Sequence, residues 1–137
     1  MPDDLDPLAF LLGTWRVTGR VAPDGQIAGH GTVTRLPGGY ALVHHRIATL
    51  YLGGHPTVDE SYEFVVASAT GYRAHLFSSL GPHAVLDGAF DGPTLVLTGP
   101  YRSIRTPAPD GSIAAAVQLP GSDGSWNDWQ TLTYIPA

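Results

Sequence analysis

The chain has 137 residues with 17 glycines and 12 prolines, and hydrophobic residues make up 43% of it. This length and composition fit one compact domain of many short strands joined by turns. Because the sequence contains neither cysteine nor lysine, it excludes disulfides, thiolate nucleophiles, cysteine-ligated metal centres, Schiff bases and a P-loop lysine. The net charge of −5 and the scattered arginines argue against a nucleic-acid partner, which requires a basic surface.

The N-terminal residues predict a short helix. Asp6 followed by Pro7 is typical of a helix N-cap and first helical position, and the apolar residues 8–12 then give one or two turns that end at Gly13. This apolar stretch is too short to cross a bilayer, and it lacks the basic flank and cleavage site of a signal peptide. We therefore expect a cytoplasmic protein without a membrane partner, whose helix lies on a larger surface.

Strand-like segments follow the helix and are separated by turns rich in Gly, Pro and Asp. They cover residues 14–22, 26–36, 40–51, 58–67, 72–79, 84–90, 94–99, 101–106, 112–119 and 126–135. Hairpin signals such as Asp24-Gly25, Asp91-Gly92 and Asp110-Gly111 predict that consecutive strands pair antiparallel. Because closure removes exposed edges, we predict an all-β fold, an up-and-down barrel of about ten strands with the helix plugging one end.

Side-chain alternation indicates which face of the second and third predicted strands points inward. If the turn at residues 37–39 is tight, His45 lies on the inner face opposite Gly31. Gly29 and Gly19 lie near this position, so the wall there lacks side chains. Glycines inside strands often mark the close approach of a ligand or a sharp bend, and we expect these to make room for a ligand.

The next predicted hairpin has an aromatic face. Tyr62 and Phe64 share this face with His75 and Phe77, whereas Glu63 lies on the opposite face. We interpret the aromatic face as internal and the acidic residue as solvated.

The C-terminal strands combine small apolar and polar residues on one face. Leu97 aligns with other leucines across the Asp91-Gly92 hairpin, and Tyr101, Arg105 and Gln130 share a face with small residues of the ninth strand. Such a mixture suits a barrel that holds a ligand in its lumen. The predicted ligand-binding residues are Tyr62, Phe64, Phe77, Leu97, Tyr101, Arg105 and Gln130.

A family resemblance begins at residues 10–16, where an apolar turn runs into Gly-Thr-Trp-Arg. This element resembles the opening of nitrobindin and related calycin-like barrels, and its Gly-x-Trp is similar to that of lipocalins. Weaker similarity follows at residues 39–43, 75–81, 91–99 and 122–134. The resemblance covers nearly the whole chain and implies a single calycin-like barrel domain over residues 1–137.

Nitrobindin further implies a b-type haem held by a histidine on the last strand. In this chain no histidine follows His83. The sequence therefore predicts the fold without the cofactor, and haem binding would need a different ligand.

Three functions remain open after the sequence has been considered. The first is binding of a small, mostly apolar molecule inside a monomeric or homodimeric barrel. The second is a cofactor-free cyclase or isomerase in which His45 or His75 is the acid/base. The third is a haem protein with altered ligation. We predict no metal site, because His45, His55 and His75 would have to converge from separate segments.

Overall fold

The computed structural model describes residues 2–137, with side chains described from Asp4 onward, and shows a closed barrel of ten antiparallel strands. A 3₁₀ helix (Pro2–Leu11) precedes β1 (Gly13–Val21), β2 (Gly25–Arg35), β3 (Ala41–Leu52), β4 (His55–Ser68), β5 (Gly71–Ser78), β6 (Gly81–Asp91), β7 (Thr94–Thr98), β8 (Arg102–Pro107), β9 (Ile113–Pro120) and β10 (Trp126–Pro136). Each strand pairs with the next, and β10 closes the barrel against β1.

The predicted all-β up-and-down barrel is confirmed, and each predicted strand end lies within three residues of the observed one. The largest differences, of three residues, are at the starts of β4 and β6; β4 begins at His55 because Gly53 and Gly54 connect it to β3 in a two-residue turn. Both glycines have positive φ, +58° and +80°, as a tight hairpin turn of this kind requires. Among residues 2–137, no helix is long and apolar enough to cross a membrane.

The N-terminal helix is longer than predicted and closes one end of the barrel. Leu5, Leu8 and Leu11 are all buried, and their spacing of three matches the three residues per turn of a 3₁₀ helix. All three leucines therefore reach the core. The Trp15 indole N–H donates to the Leu11 carbonyl at 2.9 Å, and the Tyr72 hydroxyl donates to the Asp4 carbonyl at 3.0 Å, which holds the helix against the strands.

The hydrophobic core extends from the helix to the opposite end of β1, β2 and β3, where Val21, Ile27 and Leu50 belong to it. Inward side chains of several strands pack with the helix leucines in one cluster, and four of them are at most 1% exposed: Val17, Leu42, Val65 and Leu95. Full burial of such a side chain stabilises the fold by roughly 1.5–3 kcal/mol.

The predicted register of β2 and β3 is wrong by one residue. Gly31 pairs with Arg46 rather than His45, because the turn between the strands contains four residues, 37–40, instead of three. A one-residue shift moves every side chain of the strand to the other face. His44 and Arg46 therefore point into the barrel and His45 points out.

The pairing predicted for β4 and β5 is correct, but the face assigned to the interior is wrong. Tyr62 pairs with Phe77, and Phe64 pairs with His75, yet Tyr62 and Phe77 are 42% and 47% exposed. Glu63 occupies the interior instead and is only 4% exposed. Its carboxylate is paired with an arginine from the far side of the barrel, which makes burial of the charge tolerable.

Candidate functional site

The half of the barrel away from the helix contains a cavity of about 330 Å³. Its mouth lies between the β5–β6 turn, which contributes Leu80, and the β7–β8 turn, which contributes Pro100. The volume falls within the range of small-molecule sites in proteins.

One part of the cavity wall is apolar. Leu76 and Ala84 contribute to it from β5 and β6, Ala115 and Val117 from β9, and Leu132 from β10. Several of these side chains are small, and the space they leave unfilled forms much of the cavity.

The opposite part of the wall is polar and comes from β3 and β4. It consists of inward side chains that pair or neighbour one another across these strands: His44, Arg46, Asp59, Ser61 and Glu63. Asp59 and Glu63 are 6% and 4% exposed. Carboxylates buried to this degree require a partner.

Glu63 forms the deeper of two buried ion pairs. Arg105 Nη2 donates to Glu63 Oε2 at 2.5 Å, and His44 Nδ1 lies 3.7 Å from Glu63 Oε1. Burial alone would raise the pKa of Glu63, but the Arg105 charge and contacts with His44 and Arg105 outweigh it and hold this pKa well below its usual range. Burial lowers the pKa of His44 below 6.5 in spite of Glu63, so the imidazole is neutral at pH 7.

The second ion pair lies next to the first, on the same two strands. Arg46 Nη2 donates to Asp59 Oδ2 at 3.4 Å, and Arg46 Nη1 donates to the Tyr134 hydroxyl at 3.3 Å. Ser78 Oγ donates to the other carboxylate oxygen of Asp59 at 2.7 Å. Each buried carboxylate in the cavity is thus matched by one arginine.

Several buried polar atoms around the cavity have no hydrogen-bond partner. They include the Tyr101 hydroxyl, Gln130 Oε1 and Arg46 Nε. Burial, followed by the negative charge of Glu63, raises the pKa of Tyr101 to about 12, so the hydroxyl keeps its proton and can donate it in a hydrogen bond. A buried polar group without a partner costs about 1–3 kcal/mol, and a ligand that supplied the partner would recover part of this cost.

Three of the predicted ligand-binding residues, Tyr101, Arg105 and Gln130, line the cavity. Leu97 is fully buried but belongs to the core cluster rather than to the cavity wall. The prediction that the aromatic face is internal is wrong, since it lies on the outer surface with the side chains of Tyr62, Phe64 and Phe77.

The two histidines predicted as acid/base candidates also lie outside. His45 stacks on Tyr62 with ring centroids 4.3 Å apart, and its Nε2 is 2.7 Å from Glu60 Oε2. His75 lies beside His83 on the outer face, with ring centroids 5.8 Å apart. Within residues 4–137, no group of three or more His, Asp and Glu side chains is arranged to hold a metal ion.

The inner wall of the cavity does not offer a histidine that fits haem ligation. The histidine on its inner wall is His44, whose Nδ1 faces Glu63 and whose buried Nε2 would lie 3.3 Å from a Cβ at Gly31. Neither ring nitrogen is directed into open space, as an axial ligand requires.

The inward glycines are required for the packing of neighbouring strands and do not line the cavity. A Cβ at Gly19 would lie 2.1 Å from the Thr131 carbonyl oxygen, and one at Gly29 would lie 2.2 Å from the Ile47 carbonyl oxygen. Neither glycine lines the cavity. The expectation that they make room for a ligand is therefore wrong, because the backbone of the adjacent strand occupies the space that a side chain would need.

Sequence reasoning missed the polar wall, although one signal could have found it. The Asp91-Gly92 hairpin correctly places Leu86 on the inner face, and Leu86 pairs with Ala74 of β5. Leu76 lies on the same face of β5 as Ala74, and it pairs with Glu63 of β4. Propagating register from the hairpin with the clearest alternation would have placed the Glu63 carboxylate inside.

Comparison with known proteins identifies the fold and no family. No family model matches the chain, and no curated protein matches it. Among solved structures, the chain is similar to a de novo designed fluorescence-activating β-barrel, with 14% identity, a TM-score of 0.50, and coverage of 96% of this chain and 98% of that one. A redesigned β-barrel, mFAP1, bound to DFHBI, has 22% identity and a TM-score of 0.42, over 92% and 93% of the two chains. At these identities the likeness concerns the barrel fold alone, and the nitrobindin resemblance stays a prediction.

Proposed function

We propose that this barrel binds a small, mostly apolar organic molecule in the cavity opposite its helix. The observation that carries the proposal is the unfilled volume of about 330 Å³ between an apolar wall and a set of buried polar groups. Pockets of this kind bind a ligand through its apolar body and orient it through a few polar contacts.

In this proposal, most of the binding free energy comes from contact between the ligand and the apolar wall of the cavity. A ligand that packs against Ala84, Val117 and Leu132 removes apolar surface from water on both sides of the contact. Burial contributes roughly 0.8 kcal/mol for each CH₂ group, so a compact ligand gains several kcal/mol before the cost of its immobilisation.

The geometry supports binding over a cyclase or isomerase activity. His45 and His75, the acid/base candidates of the catalytic hypothesis, point away from the cavity. His44 does line it, but its Nε2 is buried against Gly31 and its Nδ1 faces Glu63. Proton transfer requires a nitrogen within hydrogen-bond reach of the substrate, which the placement of these three histidines does not offer.

Fluorescence titration with the neutral dye N-phenyl-1-naphthylamine tests the proposal. Ala115→Phe fills the cavity from β9, whereas Ala114→Phe adds the same side chain at the neighbouring, exposed position on the outer face. We expect the wild type and Ala114→Phe to bind the dye with similar affinity, and Ala115→Phe to bind at least about tenfold more weakly.

The proposal fails if the dye does not bind, or if Ala114→Phe and Ala115→Phe weaken it equally. Circular dichroism establishes that both variants keep the barrel. Val117→Trp provides a second way to fill the cavity, nearer its mouth, if Ala115→Phe does not fold.

A further inference from the structure

The arginines of the cavity are already neutralised by carboxylates of the same chain. Arg105 is held by Glu63, and Arg46 is held by Asp59. All four side chains are strongly buried, with relative exposures between 5% and 13%. Buried pairs of this kind are much less screened than surface pairs, so each arginine is committed to its carboxylate.

The buried charges of the cavity wall therefore cancel. Two guanidinium groups face two carboxylates, and the imidazole of His44 is neutral because burial lowers its pKa. A ligand enters an environment with strong local dipoles but with no net charge to attract an ion.

From this balance we infer that the ligand is uncharged: the cavity accepts a neutral molecule with a carbonyl or hydroxyl group and discriminates against carboxylates, sulfonates and phosphates. The inference rests on the proposed function and adds the chemical class of the ligand.

An anion would have to break one of the two ion pairs to gain a counter-charge. If a ligand carboxylate took Arg46, Asp59 would remain buried with only the hydroxyls of Ser78 and Ser79, and no positive charge, as its partners. An uncompensated buried charge costs several kcal/mol, which exceeds what the exchange of one carboxylate for another returns.

Two of the unpartnered polar atoms around the cavity match a neutral ligand. The Tyr101 hydroxyl can donate to a carbonyl or hydroxyl oxygen, and Gln130 Oε1 can accept from a hydroxyl or amide N–H. A molecule with an apolar body and one such group would satisfy these atoms without disturbing the ion pairs.

Two dyes with the same aromatic body test the inference. N-Phenyl-1-naphthylamine is neutral, and 1-anilinonaphthalene-8-sulfonate differs from it by one sulfonate group. For the wild type we expect the neutral dye to bind at least about tenfold more tightly, and the sulfonate to displace it poorly in competition.

A charge-changing variant sharpens the test. Asp59→Asn removes one carboxylate from the cavity and leaves Arg46 without its counter-charge, whereas Asp87→Asn removes one from the surface pair with Arg73. Both variants change the net charge of the protein equally. We expect Asp59→Asn to raise the affinity for the sulfonate, relative to that for the neutral dye, about tenfold or more, while Asp87→Asn, outside the cavity, leaves the affinity for each dye unchanged.

The possible outcomes separate the two proposals. If both dyes compete for the site filled by Ala115→Phe and the sulfonate binds as tightly as the neutral dye, a binding cavity exists but the inference of a neutral ligand is overturned. If neither dye binds, the proposed function itself fails. Should Asp59→Asn not fold, the comparison of the two dyes on the wild type still decides between these outcomes.

Discussion

Two regions of the barrel, the packing beneath the helix and the wall of the cavity, are buried to the same degree and differ in what they bury. At the helix end, Leu8 and Trp15 are 0% and 4% exposed and contact other apolar side chains. Toward the open end, Asp59, Glu63 and Gln130 are 6%, 4% and 3% exposed and surround a cavity. Burial alone thus does not distinguish a core from a binding site, whereas unfilled volume and unpaired polar atoms do.

The largest effect that separates the two ends should come from Glu63→Gln. The amide keeps the shape of the side chain but leaves the Arg105 charge buried without a counter-charge, and we expect a loss of about 4 kcal/mol in the free energy of unfolding. Urea unfolding measures the loss. Glu60→Gln, at the half-exposed contact with His45, is the matched control and should cost less than about 1 kcal/mol. Equal losses in the two variants would contradict the described pairing.

A somewhat smaller effect is expected at the helix end. Leu8→Ala leaves a void beneath the helix and should lower the free energy of unfolding by about 3 kcal/mol. Leu12→Ala, which changes a side chain that is 37% exposed, should cost about 1 kcal/mol or less. Dye affinity of the folded protein should be the same in both variants, because neither residue lines the cavity. A dye affinity lost only in Leu8→Ala would show that the two ends are coupled.

The smallest effect concerns acid. The pKa of His44 is lowered in the folded state, so the folded protein binds fewer protons than the unfolded chain, and stability falls as the pH decreases below 6.5. The pKa of Glu63 is also lowered, which adds a further loss below pH 4.5. Burial is the main cause of the lowered pKa of His44, and Glu63 opposes it.

His44→Gln isolates the contribution of this histidine. Urea unfolding curves at a series of pH values measure the free energy of unfolding. Between pH 6.5 and the range where carboxyl groups titrate, the part of its decline that is due to His44 should be absent in the variant. A decline of unchanged size would assign the loss to other groups.

The sequence predicts the strands well because turn chemistry is local. Hairpin signals such as Asp91-Gly92 fix both the connection and the register, and the inward placement of Leu95, Arg105 and Gln130 follows from it. The same local patterns do not decide which face of β4 is internal.

Two facts hid the polar wall of the cavity. The turn between β2 and β3 contains four residues instead of the predicted three. The side chains of β3 that were predicted to point inward therefore point outward, and the others point inward. On β4, hydrophobicity favours Tyr62 and Phe64 as interior residues, but the interior face carries Glu63, which is tolerated there because Arg105 reaches it across the barrel. Such a pairing between distant strands is not visible in the pattern of either strand alone.

The inward glycines also limit how this protein can diversify. At Gly19, Gly29 and Gly88, an added Cβ would lie 1.8–2.2 Å from a carbonyl oxygen of the neighbouring strand, so substitution there strains the backbone of the barrel itself. Ala84, on the cavity wall, borders open space instead. Mutations on the alanine-lined wall can therefore change which ligand this barrel prefers, whereas mutations at these glycines would disturb the packing of its strands.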